Sequence, residues 1–363
     1  MEEDGHPSNA AAVAASPRRA RFEERLKFLP VAYMVIAMLL LACIYLQYHI
    51  SPLLSRKAAH LQMPDAAAAG ELRGLIQLSM FVPITVLLAI CYVRSILTHP
   101  GEIPDDPKWE YMPRDKSVVL APLSLQETKK SGERRHCKWC GKYKPDRCHH
   151  CRVCRTCILK MDHHCPWIYN CVGCFNYKFF ILLLFYSALD CHLIMWSMSE
   201  SVLRCVNIEQ TPFQEMFIIL FGEFLAFILA FLVSAFLAMH LWLISRGLTT
   251  IEFCEKSLPK DGQPAERSMK SVYNLGLYGN FRAVLGNSVA VWLLPLGMPE
   301  GDGITFVCDE TCLTKDIDAT NGIRRKTHQV AQRQRPFSYG SDASELHRMG
   351  MNFPVFNHTD AQP

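Results

Sequence analysis

Residues 137–174 read CKWCGKYKPDRCHHCRVCRTCILKMDHHCPWIYNCVGC, and the reading of this stretch decides what kind of protein the chain is. Nine of the chain's 16 cysteines fall inside it, with His149, His150, His163 and His164 interleaved and His136 just before. Disulfide scaffolds are short and secreted, and they have no reason to mix in histidine at ligand spacings. The mixture suits reduced thiols that hold metal on the cytosolic side of a membrane. Structural zinc takes four ligands tetrahedrally, and each Cys-x-x-Cys turn offers two thiolates from one knuckle. Here Cys137-x-x-Cys140 is followed by His150-Cys151-x-x-Cys154-x-x-Cys157 and later by Cys171 and Cys174. Eight ligands would make two sites of three cysteines and one histidine. The spacing leaves open which ligand joins which metal. Each such site carries a net negative charge, which Lys142, Lys144, Arg147, Arg152 and Arg155 can offset. So little apolar residue is present that zinc must supply much of the folding energy.

One cysteine is left over in a reactive setting. Cys165 follows Asp162-His163-His164, and eight ligands can be found without it. A free thiol of pKa near 8.5 is mostly protonated at neutral pH, and the thiolate is the attacking species. An imidazole oriented by a carboxylate raises the thiolate fraction and can return the proton. Asp162, His163 and Cys165 supply these parts, and ligation by His164 and Cys171 would pin the short segment from both sides.

Working outward, four apolar runs flank the stretch, over about Phe28–Ile50, Leu75–Leu97, Phe179–Leu203 and Phe217–Ser245. A hydrocarbon core of ~30 Å needs about 20 helical residues, so each run is long enough to cross it. The first starts too late and runs too long for a cleavable signal peptide. Arg18, Arg19, Arg21, Arg25 and Lys27 precede the first run; Lys and Arg are dense over 101–177 and again after Arg246. The connection Val206–Pro212 has neither, although the first connection carries Arg56, Lys57 and Arg73. This bias puts both termini and the cysteine-rich loop in the cytosol. Asp190 and His192 make the third run the least clean, and no internal repeat is evident. Length would allow two or three soluble domains, but half of the 363 residues are hydrophobic and they concentrate in these runs.

At these residues the chain resembles the DHHC family of protein S-acyltransferases (palmitoyltransferases). The match runs without a gap from Cys137 to Phe180. It includes Lys144-Pro145-Asp146-Arg147, Asp162-His163-His164-Cys165-Pro166-Trp167, Asn170-Cys171-Val172-Gly173 and Asn176-Tyr177. Thr249-Thr250-Ile251-Glu252 matches the family's Thr-Thr-x-Glu motif, and Gly279-Asn280-Phe281 with Trp292-Leu293-Leu294-Pro295 looks like its C-terminal motif. Where many members have Asp-Pro-Gly after the second span, this chain has His99-Pro100-Gly101.

The resemblance implies an all-α polytopic membrane protein, with four transmembrane helices and a two-zinc cysteine-rich domain between the second and third. The expected divisions are a cytosolic tail over 1–28, helices 1 and 2 over 29–97, and a linker over 98–136. The catalytic zinc domain follows over 137–177, helices 3 and 4 over 178–245, a C-terminal segment over 246–300 and a flexible tail over 301–363. It implies transfer of palmitoyl or similar long-chain acyl groups from acyl-CoA to protein cysteines through Cys165, with His163 as base and Asp162 orienting it. Cys137, Cys140, His150 and Cys157 would hold one structural zinc, and Cys151, Cys154, His164 and Cys171 the other. Thr250 would lie close to Asp162, and Asn280 would hold the C-terminal segment against the spans. Lys144, Arg147 and His149 are candidates for the coenzyme A phosphates, and Trp167 for the acyl entrance or an interfacial anchor.

Cys148 and Cys174 exceed the ligand count and are either idle small residues or secondary acylation sites. Asp190 is expected near mid-bilayer, about 18 Å from Tyr177 at 1.5 Å per residue, facing the bundle and either disfavouring longer acyl chains or bonding to a neighbouring span.

The partners implied are acyl-CoA, cysteine-bearing proteins at a membrane, and the bilayer of the Golgi, ER or plasma membrane, with no nucleic acid. A zinc module for nucleic acid or ubiquitin transfer has no need of Asp162-His163 beside a spare cysteine. A channel would want several polar spans, and only Asp190 and Glu223 qualify. An inactive membrane scaffold would ordinarily have lost part of Asp-His-His-Cys, which is whole here. The sequon Asn357-His358-Thr359 would stay unmodified in the cytosol.

Overall fold

Inside lipid, backbone N–H and C=O groups must find partners within the segment, and the helix supplies them locally. In a computed structural model, described over residues 27–55, 64–111, 127, 134–207, 211–257, 271–299 and 301–306, the four apolar runs are helical. The stretches long and apolar enough to cross a membrane are Leu29–Leu54, Ala68–Leu97, Tyr177–Asn207 and Phe213–Ser245. Helix α1 (Leu29–Tyr45) continues through a π-helical turn at Leu46–Ile50 and a last turn at Ser51–Leu54. Helices α2 (Pro64–Leu97), α3 (Tyr177–Asn207) and α4 (Phe213–Ser245) follow. The helices outrun the apolar stretches at several ends. At α2 the reason is local: Pro64 suits the first helical position and Ala66–Ala69 are strong helix formers.

Helix α3 is the centre of the bundle. Of its apolar window 61% is buried, against 17–22% for the other three, so α1, α2 and α4 pack around it and turn their other faces outward. Phe213, Phe217, Phe221 and Phe224 on α4 are such outward residues, suited to lipid.

Between α2 and α3 lie three two-stranded antiparallel hairpins. They are β1 (His136–Cys137) with β2 (Lys142–Tyr143), β3 (His149–Cys151) with β4 (Thr156–Ile158), and β5 (His163–Cys165) with β6 (Asn170–Val172). Strands of two or three residues are too short to hold together alone. The hairpins are fastened to the bundle by side-chain amides. Asn170 Nδ2 donates to the carbonyls of Ser95, Ile96 and Thr98 at the end of α2. Asn176 accepts from Gly173 N and donates to Cys171 O at the start of α3. A Cβ on Gly173 would come within 2.7 Å of Ile158 Cγ2 and of Pro100 O, so only glycine lets the chain pass there. At the departure from the family pattern, His99 Nδ1 accepts from Gly101 N at 3.1 Å, so an imidazole closes the turn.

After α4 the chain turns at Gly247 (φ 66°), where a Cβ would press within 3.0 Å of the Asn274 backbone. Helix α5 (Thr250–Ser257) and, later, α6 (Gly276–Leu285) return beneath the bundle. Asn280 Nδ2 donates to Ser245 O, the last residue of α4, and its Oδ1 accepts from Leu275 N. The ammonium of Lys178, a buried residue, donates to Val291 O and Leu296 O, tying the segment after α6 to α3. Residues 301–306, placed in a flexible tail by expectation, lie against the hairpin domain. Ile304 packs beside Leu159 and Cys174, and the Phe306 ring meets Tyr273 and the Arg147 guanidinium. The N-terminal residues 1–26 and the sequon at Asn357 lie outside the described residues.

Candidate active site and metal centres

Two clusters of three cysteines and one histidine form in the hairpin region: Cys137, Cys140, His150, Cys157, and Cys151, Cys154, His164, Cys171. In the first, His150 Nδ1 lies 3.5, 3.3 and 3.9 Å from the sulfurs of Cys137, Cys140 and Cys157. In the second, His164 Nδ1 lies 3.7, 3.4 and 3.6 Å from those of Cys151, Cys154 and Cys171. A tetrahedral centre with Zn–S of ~2.3 Å and Zn–N of ~2.0 Å requires S···N edges of roughly 3.6 Å. Donor type, number and spacing therefore fit two metal ions and are compatible with zinc. Among the described residues the cysteines are free thiols.

Strand geometry then separates metal from chemistry. Successive side chains on a strand leave opposite faces. On β5, His164 pairs across the ladder with Cys171 and goes to the metal cluster, whereas His163 and Cys165 leave the other face together. Asp162, 1% exposed, accepts from His163 Nδ1 at 2.8 Å, from Thr250 Oγ1 at 2.8 Å and from Thr250 N at 2.9 Å. Thr250 is thus brought to Asp162 from across the sequence by α5. With Nδ1 committed, Nε2 is the His163 nitrogen left for Cys165. Burial pushes the Asp162 carboxyl up, but the His163 bond and the Thr250 amide outweigh it and hold it below the usual carboxylate range. Burial lowers His163, yet the Asp162 bond and the neighbouring Cys165 thiol prevail and raise it to about 9.

Cys165 is buried in an apolar cluster with Leu88 and Tyr92 of α2, Phe180, Ile181 and Leu184 of α3, and Leu285 of α6. The thiol therefore lies buried at the end of the helix bundle that carries the hairpins. Trp167 is half-exposed, its carbonyl accepts from Tyr92 Oη, and its ring lies 6.0 Å from Tyr33 of α1.

The three phosphate candidates are placed unlike one another. Arg147 is buried, and its Nε and Nη2 grip Glu252 at 2.6 and 2.9 Å while Nη2 also donates to Gly247 O. Its guanidinium lies over the Tyr273 ring, so it is a clamp between the hairpins and α5 rather than a free cation. Burial, reinforced by Arg135 and Lys144, lowers His149 to about 4, so it is neutral at neutral pH. Lys144 has no protein partner for its ammonium among the described residues. Cys148 and Cys174 are both buried in one cluster with Ile103, Trp109 and Leu159, which matches small core residues. Asp190 accepts from Thr85 Oγ1 of α2 at 3.1 Å.

One pairing and one residue went unread in the sequence. Glu252 pairs with Arg147 across 105 positions, a separation no local pattern reports. His240 of α4 is fully buried beside Asp162 and His163. Its signal was available, since an ionisable side chain within an apolar span marks a functional site by default.

The DHHC palmitoyltransferase family model matches residues 130–257. The chain is 34% identical over 247 residues to palmitoyltransferase ZDHHC15 of Mus musculus, covering 64% of this chain and 72% of the relative. It is 41% identical over 183 residues to palmitoyltransferase ZDHHC2 of Rattus norvegicus, covering 50% and 48%. It is also 36% identical over 263 residues to probable protein S-acyltransferase 14 of Arabidopsis thaliana, covering 66% and 81%. With its spans, its two ligand clusters and Asp162-His163-His164-Cys165 between them, the chain belongs to the DHHC palmitoyltransferase family.

Proposed function

We propose that this protein S-acyltransferase moves a long-chain acyl group, palmitoyl or similar, from acyl-CoA to protein cysteines through an acyl-enzyme on Cys165. One observation carries the reading. Cys165 is outside both four-donor clusters, shares a strand face with His163, and lies among apolar residues of α2, α3 and α6.

In the first step His163 Nε2 takes the Cys165 proton and the thiolate attacks the thioester carbonyl. The C–S bond to coenzyme A breaks, and the departing thiolate takes the proton back from His163. In the second, a substrate thiol gives its proton to His163 and its sulfur attacks the acyl group. The Cys165 thiolate is then released and the imidazolium can reprotonate it. One thioester replaces another in each step, so the protein contributes positioning and thiolate rather than driving force. Asp162, fixed by Thr250, holds the Nδ1–H of His163, so that Nε2 is the nitrogen that exchanges the proton with Cys165. Zinc, when bound by the eight ligands, would supply cross-links that hold the hairpins folded, since four protein donors leave no open position. Lys144 is the remaining candidate for a donor phosphate and Trp167 for the acyl entrance.

The basic flanks support a topology with both termini and the hairpin domain in the cytosol, where a substrate thiol stays reduced. The Asp190–Thr85 bond meets the expectation of a carboxyl tied to a neighbouring span, and a polar end to the acyl path that disfavours longer chains is the rival reading. Donors of about 14, 16 and 18 carbons, the middle one the palmitoyl length, compared on wild type and Asp190→Ala, test this; the same preference order in both returns Asp190 to a purely structural role. The central test is incubation of purified protein with labelled acyl-CoA. A hydroxylamine-sensitive label on wild type and none on Cys165→Ser is expected. Equal labelling of the two would remove Cys165 from the mechanism.

A further inference from the structure

His240 lies on the last turns of α4, fully buried, in a pocket of aromatic rings. Phe180 meets it edge-on at 5.3 Å and Phe236 at 4.6 Å between centroids, and the His163 ring is 5.8 Å away. Phe180 also packs edge-on against His163 at 5.1 Å, so the two imidazoles share one enclosure. Donor atoms of Asp162, His163 and His240 lie within 4.8 Å of one another. His240 Nδ1 lies 3.2 Å from the hydroxyl of Tyr177, the first residue of α3, whereas its Nε2 is buried with no partner. A polar nitrogen left orphaned in an apolar enclosure calls for an explanation. The carboxylate beside it offers one, because Thr250 approaches Asp162 from α5 and α4 approaches from elsewhere.

We propose that His240 is a positioning residue for acyl transfer. The Tyr177 hydroxyl donates to Nδ1, which leaves the proton on Nε2, and the Nε2–H is turned to the Asp162 carboxylate. Donors then run one way: Tyr177 to His240, His240 to Asp162, with His163 Nδ1 and Thr250 donating to the same carboxylate. Asp162 is held by three elements, and His163 keeps its Nε2 free to accept from Cys165. In the resting structure the His240–Asp162 approach is longer than a hydrogen bond. Apo catalytic hydrogen bonds are often long in this way. The inference rests on the assignment of His163 and Cys165 above.

The discriminating variants are His240→Asn and His240→Gln in the full-length protein in detergent micelles. An asparagine amide sits where Nδ1 sits and can still meet Tyr177, whereas a glutamine amide reaches the place of Nε2. Acylation of the nucleophile is followed against acyl-CoA concentration in preparations that retain their zinc. His240→Asn is expected to lower kcat by roughly 10–100-fold, the scale of loss when a partner that orients a metal-bound side chain is removed. KM should stay unchanged, and His240→Gln should recover most of the rate. Tyr177→Phe, which deletes one hydroxyl, should lower kcat in the same sense by a smaller factor and serves if the His240 variants fail to fold. Asparagine and glutamine variants of equal rate would overturn the proposal, as would a change confined to KM or an unaffected Tyr177→Phe. Inclusion of His163→Ala separates the two levels. If that variant acylates at the wild-type rate, the dyad itself is misassigned. If it is impaired while His240→Asn is not, only the role of His240 fails.

Discussion

Two hairpins carry the same tripeptide, His149-His150-Cys151 on β3 and His163-His164-Cys165 on β5. They also share a register: His150 faces Cys157 across one ladder and His164 faces Cys171 across the other. In both, the middle histidine and the cysteine opposite belong to a metal cluster. The difference lies at the two flanking positions. Cys151 joins the second cluster, whereas Cys165 joins none. The residue before the tripeptide is buried Cys148 in one and Asp162 in the other. Burial and the cations Arg135 and Lys144 lower His149 to about 4 against the weaker pull of Glu252, whereas the bonded Asp162 together with Cys165 raises His163 to about 9. One scaffold thus yields a ligand hairpin and a reactive hairpin, and the upstream carboxylate together with the free cysteine sets the character of the first histidine.

The sharpest break of this comparison comes from its two cysteines. Cys151→Ser is expected to lose one metal and the folded domain together. Binding of a structural zinc is worth about 10–16 kcal/mol in small domains, against a total stability of about 5–15 kcal/mol. Cys165→Ser, in the same tripeptide position, should keep both metals and the fold. Metal analysis and size-exclusion profiles of the two proteins decide the matter. A Cys151→Ser protein that keeps both metals and runs as the wild type would contradict the ligand sets.

The first histidines should differ next. His163→Ala is expected to retain its metals and slow acylation by roughly 10²–10⁴-fold, the range for loss of a general base. His149→Ala should stay within a few-fold of wild type, because its imidazole is neutral and has no acidic neighbour on its own strand. Single-turnover labelling measures both. Similar losses in the two variants would mean that the hairpins are less distinct in role than their electrostatics.

What was legible in the chain depended on how local the signal is. The spans follow from long apolar runs, and the ligand count follows from Cys-x-x-Cys spacing, which needs only one turn of backbone. The twinned tripeptides stand in the sequence too, yet no internal repeat was expected from it. Three residues are too few to tell a repeat from a recurrence of metal ligands, and only the shared strand register reveals it. Arg147 was unreadable for the opposite reason. As a basic residue near a metal cluster it suits a phosphate, and only the fold brings Glu252 from α5 to claim it. His240 was passed over as one polar residue in a long apolar helix. Gly301–Phe306 read as tail because its few apolar residues have no period, although Ile304 and Phe306 each find a place on the hairpin domain.

The smallest expected effect concerns Cys148, the counterpart of Asp162. It is fully buried in the cluster with Ile103, Trp109, Cys157, Leu159 and Cys174, and nothing about its packing requires a metal. The neighbouring cluster is complete without it, since His150 Nδ1 already has three sulfurs at 3.3–3.9 Å. Cys148 nevertheless sits close enough to hydrogen-bond with Cys157, which makes it the natural rival for that ligand position. Cys148→Ala separates the two accounts. As a core residue, its loss removes one buried sulfur and leaves a small void, which costs about 1–2 kcal/mol and lowers Tm by a few degrees. Metal content and acylation rate should then match wild type. As a ligand, its loss should remove a metal and unfold the hairpins, as for Cys151→Ser. A Cys148→Ala protein short of one metal would move Cys157 out of the first cluster and make the residue before the tripeptide a ligand in one hairpin and a carboxylate anchor in the other.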